Sequence, residues 1–483
     1  MVFPSPVYGK GVRTGIRVPR AAPSERLPDA TGNAPCKGPT GRERVEQGFR
    51  TACGAPAKRW PDAAGHAPCK GIGVMKSGNI DNIHNMTTLA ISSYTTSNAA
   101  GIGKAATAHA LREGRSGLVP NDLDWAPLPC WIGQIPGLDA DNRIEIPQKL
   151  REFSCRNNRL ALLALEQDGF MAAAADVRRR FGPERIGVFI GTSTSGILST
   201  EIAYQQREPE SGRLPADYRY ETTHNLDATT EFVRRVLGLT GPAMTISTAC
   251  SSSAKVFCLA ERFIRLGLID AAVVGGVDSL CHTTLYGFNS LQLVAPDVCR
   301  PFDVARRGLS IGEAGGFALV EKGDSSRGGL HLLGYGETSD AHHMSTPHPE
   351  GDGARRAMQE ALDRAGLAPA EIDYVNLHGT ATPANDRAED HAVHNVFGSE
   401  VACSSTKGFT GHTLGAAGIT EAAIALLSIE HTFIPGSPTT KNVDPETRCA
   451  IVLEGRYGRV TRVMSNSFGF GGSNCALLFG GTA

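Results

Sequence analysis

Cys250 stands where an apolar, β-branched run ends and a helical one begins: GPAMTIST precedes it within three residues, and Val256, Leu259, Ala260, Phe263 and Ile264 follow at helical spacing. A thiol at a helix N-terminus meets unpaired N–H groups and the positive end of the macrodipole, which favour thiolate, the nucleophilic form. Thr248, Ala249 and the serines 251–253 around it are small enough to admit a thioester. The placement is that of a nucleophile elbow, in which a strand–turn–helix junction presents the reactive side chain. The competing reading is a small buried cysteine filling a tight turn, and that role is assigned to Cys258, Cys281, Cys299, Cys403 and Cys449.

Two histidines are placed to act on what such a thiol binds. NLHGTATPAND (376–386) puts His378 where an apolar strand gives way to a polar turn, and STKGFTGHTLGAAG (405–418) puts Lys407 and His412 just before a helix. In open α/β folds the carboxyl ends of strands converge on a crevice, so distant histidines can face one sulfur. A single histidine is more often structural; three such residues at strand ends point to one site. SDAHHMSTPHP (339–349) adds His342, His343 and His348, but no Cys or carboxylate is spaced with them, so a loop near the mouth of the site is expected rather than a zinc ion.

The blocks TACSSSAK, HGTATPAND, TKGFTGHTLGAAG and NSFGFGGSN, in that order, resemble the signature blocks of β-ketoacyl-(acyl-carrier-protein) synthases of the elongating type, over about 86–479. The resemblance implies a thiolase-like α/β fold, five αβαβα layers from two pseudo-duplicated halves. It implies Cys250 as the acylated nucleophile, His378 and His412 as the pair acting on a malonyl group, and Lys407 with Glu389 as a supporting ion pair, with Asp386 where the family also has an acid. The oxyanion donors would be the backbone amides of Cys250 and Phe470, the Phe470 ring would gate the acyl pocket, and Thr380, Thr382, Phe468 and Gly471 would bind substrate. No metal and no cofactor is expected, because the substrates carry phosphopantetheine on acyl carrier protein. The expected partners are that acidic carrier, with Arg178, Arg179 and Arg180 as a candidate basic patch, and a dimer mate, either a second copy or a chain-length-factor-like subunit. Residues 276–303 resemble synthases of the aryl-polyene pigment type.

Two alternatives stay open at this level. A chain-length-factor-like partner subunit would be non-catalytic, but that class lacks the nucleophile that Cys250 supplies. A degradative thiolase would carry a second reactive cysteine in the C-terminal Gly-rich turn, where this chain has Phe470, Gly471, Gly472 and Ser473, with Cys475 beyond.

The elements that must position these residues read as short buried strands: TTLAISSYTTS from residue 87, RIGVFIGTSTS, DAAVVGGVDSL, GGFALVEK, LHLLGYGETSD and IDYVNLHGTAT, with helices between several of them and a terminal hairpin around SFGFGGSN. Expected divisions are a 1–85 extension, an 86–333 half holding the nucleophile and a 334–483 half holding the histidines. Residues 1–85 carry 13 Lys and Arg against 6 Asp and Glu, many Gly and Pro, a near repeat (26–38 and 59–71) and no apolar period, and read as disordered extension or translated upstream sequence. Their Cys36, Cys53, His66 and Cys69 lack paired zinc-ligand spacing. The net charge of −1 gives no global attraction to nucleic acid, the 12 scattered cysteines are unlike a disulfide scaffold, and no apolar stretch is long enough to span a membrane, so a cytoplasmic protein is expected.

Overall fold

The computed structural model describes residues 86–138, 144–324 and 328–481. The expectations for residues 1–85, including the metal-ligand candidates there, lie outside the described residues.

Eleven strands form the main path of one sheet: β1 (Leu89–Asn98), β2 (Ile186–Gly191), β3 (Ala243–Ile246), β4 (Ala271–Asp278), β5 (Ala314–Lys322), β6 (Leu330–Ser339), β7 (Tyr374–Asn376), β8 (Ala402–Ser404), β9 (Ala450–Ile451), β10 (Arg462–Gly469) and β11 (Ser473–Gly481). Their order is β9-β8-β7-β10-β11-β6-β1-β5-β4-β2-β3. The duplication is visible in the pairing. From β1 outward the first half runs β5 and β4 antiparallel, then β2 and β3 parallel to β4. From β6 outward the second half runs β11 and β10 antiparallel, then β7 and β8 parallel to β10. The halves join where Leu89 and Ala90 meet Leu332 and His331.

Equivalent helices follow β3 and β8: α1 (Ser252–Arg265) and, after a short turn, α2 (Ala417–Glu430). Residues 417–429 of α2 are all buried, and AGITEAAIALLSI is apolar nearly all round, as a helix in the middle of a layered core must be. Small residues let the two helices and the sheet close up. A Cβ at Gly418 would lie 2.3 Å from the amide nitrogen of Ala254, and one at Gly276 would lie 2.5 Å from the Cβ of Ser253. The single core cluster that contains Phe257, Ala260, Ile419, Ala423 and Phe479 therefore spans both halves. A fully buried side chain of this size contributes on the order of 1.5–3 kcal/mol. The consequence for function is that the turns leading into the two helices, after β3 and after β8, are equivalent by the duplication and brought together by the packing of α1 on α2.

Candidate active site

Cys250 sits in the turn between β3 and α1, and the turn is strained: Ala249 has φ 53°, a left-handed conformation that an alanine holds only when its surroundings impose it. The serines impose it. Ser252 Oγ accepts from Thr248 N at 2.9 Å and donates to the carbonyl of Ala249 at 2.6 Å, while Ser251 Oγ donates to the carbonyl of Thr248 at 2.9 Å. Ser253 Oγ accepts from Ile419 N at 2.9 Å, tying the nucleophile helix to α2. Serines 251–253, expected to leave room for a thioester, are fully buried and hold the backbone instead.

The equivalent turn after β8 carries Lys407 and His412. The His412 backbone is zipped to a neighbouring segment, donating to the carbonyl of Ser310 at 2.8 Å and accepting from Gly312 at 2.9 Å. Its Nε2 lies 2.9 Å from Cys250 Sγ. The Leu414 amide donates to its Nδ1 at 3.3 Å, which leaves the neutral ring's proton on Nε2, facing the sulfur. His378, at the end of β7, meets His412 edge-on, ring centroids 5.3 Å apart at 87°. One ligand atom from each of Cys250, His378 and His412 falls within 4.8 Å of the others. Geometry alone would let such a trio hold a soft divalent metal, but the Lys407 ammonium, 3.3 Å from His378 Nδ1, makes the spot unfavourable for a cation.

Lys407 also donates to the carbonyl of His378 and forms a buried ion pair, and this pair corrects the sequence reading. Its partner is Glu421 of α2, not Glu389. Glu389 accepts the backbone amides of His378 and Gly379, each at 2.7 Å, and the Asn466 amide at 3.2 Å, so it shapes the histidine loop. Asp386 caps the same region through the amides of Phe302 and Ala381. Burial pushes both Glu389 and Glu421 up to about 7. It also holds His378 and His412 well below the ordinary imidazole range, and the Lys407 charge lowers them further.

The thiol is likewise governed by burial, which pushes Cys250 up to about 12. The Lys407 charge and the Phe470 amide pull it back, whereas Glu421 and Asp278 push it further. The expected activation by the helix end is thus outweighed by desolvation. Thiolate character depends on the N–H donors that reach the sulfur, the Phe470 amide and His412 Nε2.

The thiol opens onto a cavity of about 370 Å³ whose lining includes His378, His412, Thr380, Thr382, Phe468 and Phe470. Thr380 and Thr382 share a hydroxyl contact at 2.9 Å. The Phe468 ring lies 5.8 Å from that of His378, and Phe470 stacks on Phe288 at 5.3 Å. Gly471, at φ 79°, donates to the carbonyl of Met344 at 2.7 Å, joining the Gly-rich turn to the histidine-rich loop. That loop's Ser345, Thr346 and Pro347 line the cavity, while the rings of His342 and His348 meet edge to face 5.3 Å apart. Glu421, Asp340, Asn385 and Asn474 were missed in sequence. Glu421 alone left a signal, as the one acid inside an apolar helix.

Arg178, Arg179 and Arg180 are not at the mouth. Arg180 pairs with Glu321, which faces Ala271 at the start of β4, whereas the site gathers at the other end of that eight-residue strand. That is about 23 Å away at ~3.3 Å per residue. Arg178 binds the carbonyl of Leu237 and Arg179 pairs with Asp176. The nine described cysteines are free and buried, and Cys475 lies 3.8 Å from Cys258 within the core rather than in the Gly-rich turn.

Residues 149–325 match the β-ketoacyl synthase N-terminal domain and residues 331–441 the C-terminal domain. The chain is 36% identical over 313 residues to 3-oxoacyl-[acyl-carrier-protein] synthase 2 of Staphylococcus aureus, covering 61% of this chain and 77% of that one. It is 37% identical over 317 residues to the mitochondrial 3-oxoacyl-[acyl-carrier-protein] synthase of Arabidopsis thaliana, covering 61% and 68%. Among solved structures it is similar to a ketosynthase, ApeO, in complex with its chain length factor, ApeC, from Xenorhabdus doucetiae (38% identity, TM-score 0.73, 82% of this chain and 98% of that one). It is also similar to a β-ketoacyl synthase from Burkholderia phymatum STM815 (29% identity, TM-score 0.73, 82% and 100%).

Proposed function

This chain belongs to the β-ketoacyl synthase family, and from that premise we propose how its own residues carry the decarboxylative Claisen condensation of an enzyme-bound acyl group with malonyl-acyl carrier protein. It has the thiolase-like fold of that family and is an acyl-transferring condensing enzyme. The observation that carries the mechanism is the meeting of Cys250, His378 and His412 atoms within 4.8 Å, with Lys407 on the far nitrogen of His378.

In the first half, Cys250 as thiolate attacks the acyl thioester delivered on phosphopantetheine. A C–S bond forms to Cys250, the carrier's C–S bond breaks, and the carrier thiolate takes up a proton. The oxyanion formed on the way accepts hydrogen bonds from the amides of Cys250 and Phe470. In the second half, malonyl thioester loses carbon dioxide, and the negative charge passes to its thioester oxygen. Lys407 occupies His378 Nδ1 and Leu414 occupies His412 Nδ1, so both rings turn a protonated Nε2 toward that oxygen. Each such donor contributes on the order of 3 kcal/mol to the barrier. The enolate carbon then attacks the acyl carbon, the C–S bond to Cys250 breaks, and thiolate is regenerated. Thr380 and Thr382 hold the pantetheine arm, Phe468 lines its path and the Phe470 ring gates the acyl side, whereas Gly471 lies outside the cavity lining and fixes the Gly-rich turn to Met344. No cofactor enters these steps.

The alternative of a catalytically silent partner subunit is disfavoured by a complete Cys-His-His set, and that of a degradative thiolase by the burial of Cys475 in the core. We further propose that the chain pairs with a second copy or a chain-length-factor-like subunit through β3, an end strand of the sheet whose Ala243 and Met244 are exposed. The resemblance of residues 276–303 supports an aryl-polyene product. Among the described residues no helix is long and apolar enough to cross a membrane.

The test is carbon dioxide release from malonyl-acyl carrier protein with acyl-carrier protein present. Release that depends on Cys250, His378 and His412 supports the mechanism; release undiminished in His378→Ala and His412→Ala overturns it.

A further inference from the structure

At the end of β4 the carboxylate of Asp278 is fully buried, and no cation pairs with it among the described residues. It is surrounded by neutral donors instead. Oδ1 accepts the hydroxyls of Thr192 at 2.6 Å and Thr194 at 2.7 Å and the Thr194 amide at 2.9 Å. Oδ2 accepts the Ser193 hydroxyl at 2.6 Å and the Gly415 amide at 2.6 Å, and the Ser193 amide reaches both oxygens. Both oxygens thus have their hydrogen-bonding capacity met by hydroxyls and backbone amides. The arrangement brings together the segment after β2, the end of β4 and the turn that carries His412, three residues before Gly415.

Beyond the turn, the start of α2 is tied to the nucleophile helix by the Ser253 hydroxyl beneath Ile419 N. His412 is thus held at its own backbone by Ser310 and Gly312, and the chain that follows it is pinned at Gly415 by Asp278 and at Ile419 by Ser253. There is no slack at the first pin: a Cβ on Gly415 would lie 2.7 Å from Asp278 Oδ2 and 2.8 Å from Ser193 N.

We propose that Asp278 is a positioning residue for the condensation, holding the His412 turn so that Nε2 stays within reach of the group bound to Cys250. It touches neither substrate nor sulfur, and this role rests on the functional reading above. In Asp278→Asn the side-chain amide would turn N–H donors toward either the Gly415 or the Thr194 backbone amide, so one of these backbone contacts must be lost.

The experiment compares wild type, Asp278→Asn and Gly415→Ala in steady-state condensation of acyl- and malonyl-acyl carrier protein, with intact-mass measurement of Cys250 acylation. A displacement near 1 Å at a catalytic group costs about 100-fold. The expected result is therefore a kcat lowered about 10- to 100-fold in both variants, KM for malonyl-acyl carrier protein within about threefold of wild type, and a double variant no worse than the poorer single. A purely structural role would lower Tm and the yield of active enzyme without this split. Asp278→Asn folded with kcat within about twofold of wild type would overturn the proposal, and so would Gly415→Ala at wild-type kcat, which decides the matter if Asp278→Asn does not fold. Absence of turnover in wild type would overturn the functional reading itself, and this inference with it.

Discussion

Nε2 of His412 lies 2.9 Å from Sγ of Cys250, although 162 residues separate them in the chain. The contact joins the helix start of one half of the sheet to the equivalent helix start of the other. Thiol, imidazoles and ammonium are then coupled, so that each substitution carries a distinct signature.

The thiol is mostly protonated near neutral pH, because burial pushes it up to about 12. Only thiolate reacts, so alkylation of Cys250 by iodoacetamide should rise about tenfold per pH unit between pH 7 and 9. Lys407→Met removes a charge that lowers the thiol and should slow alkylation further. Peptide mass spectrometry reads both; a plateau below pH 8 would contradict the account.

The Lys407–Glu421 pair is buried on both sides, at 1% and 3% side-chain exposure. Removing one partner strands a buried charge, and Lys407→Met should cost about 3–5 kcal/mol of folding stability by denaturant titration. Lys407→Met with Glu421→Gln should recover most of that loss, since a buried pair replaced together is often neutral. Condensation should stay impaired in the double variant, because nothing then binds His378 Nδ1. Stability and activity returning together would show that Lys407 serves the fold alone.

His378 and His412 are held neutral by burial first and by Lys407 second. Their ring signals in nitrogen-15 NMR should show protonated Nε2 and no titration from pH 8 to 6; a midpoint near 6.5 in either ring would contradict the proposed enolate donors. The linked stability has a definite sign. The unfolded rings take up protons below about 6.5 while the folded ones do not, so this contribution is present above that pH and lost as pH falls.

Much of this was legible in sequence, and the reason is locality. The junction at Cys250 and the strand ends at His378 and His412 are written in a few consecutive residues, where apolar runs meet helical spacing. Lys407's partner was not legible that way, since Glu389 and Glu421 are both acids at plausible distances and only the placement of α2 decides between them. An acid inside an apolar, buried helix has to be paired, and Glu421 in GITEAAIALL carried that signal. The basic run 178–180 failed for a related reason, because residue type does not say which end of a strand a neighbouring helix reaches.

Glu389→Gln separates loop shape from charge. A glutamine keeps one oxygen for the His378 or Gly379 amide and turns N–H toward the other, at a cost of about 1–3 kcal/mol. Tm should fall, and condensation should fall more than Cys250 acylation, because His378 acts in the second half-reaction. Equal loss in both half-reactions would contradict this division of labour.

The most direct measurement is intact mass of enzyme and carrier through one turnover, begun with acyl-carrier protein and completed with malonyl-acyl carrier protein. The predicted sequence is an acyl adduct on the Cys250 peptide, then its disappearance as the carrier gains a β-ketoacyl group two carbons longer. An elongated carrier formed by Cys250→Ala, or an adduct on any other cysteine, would contradict the account.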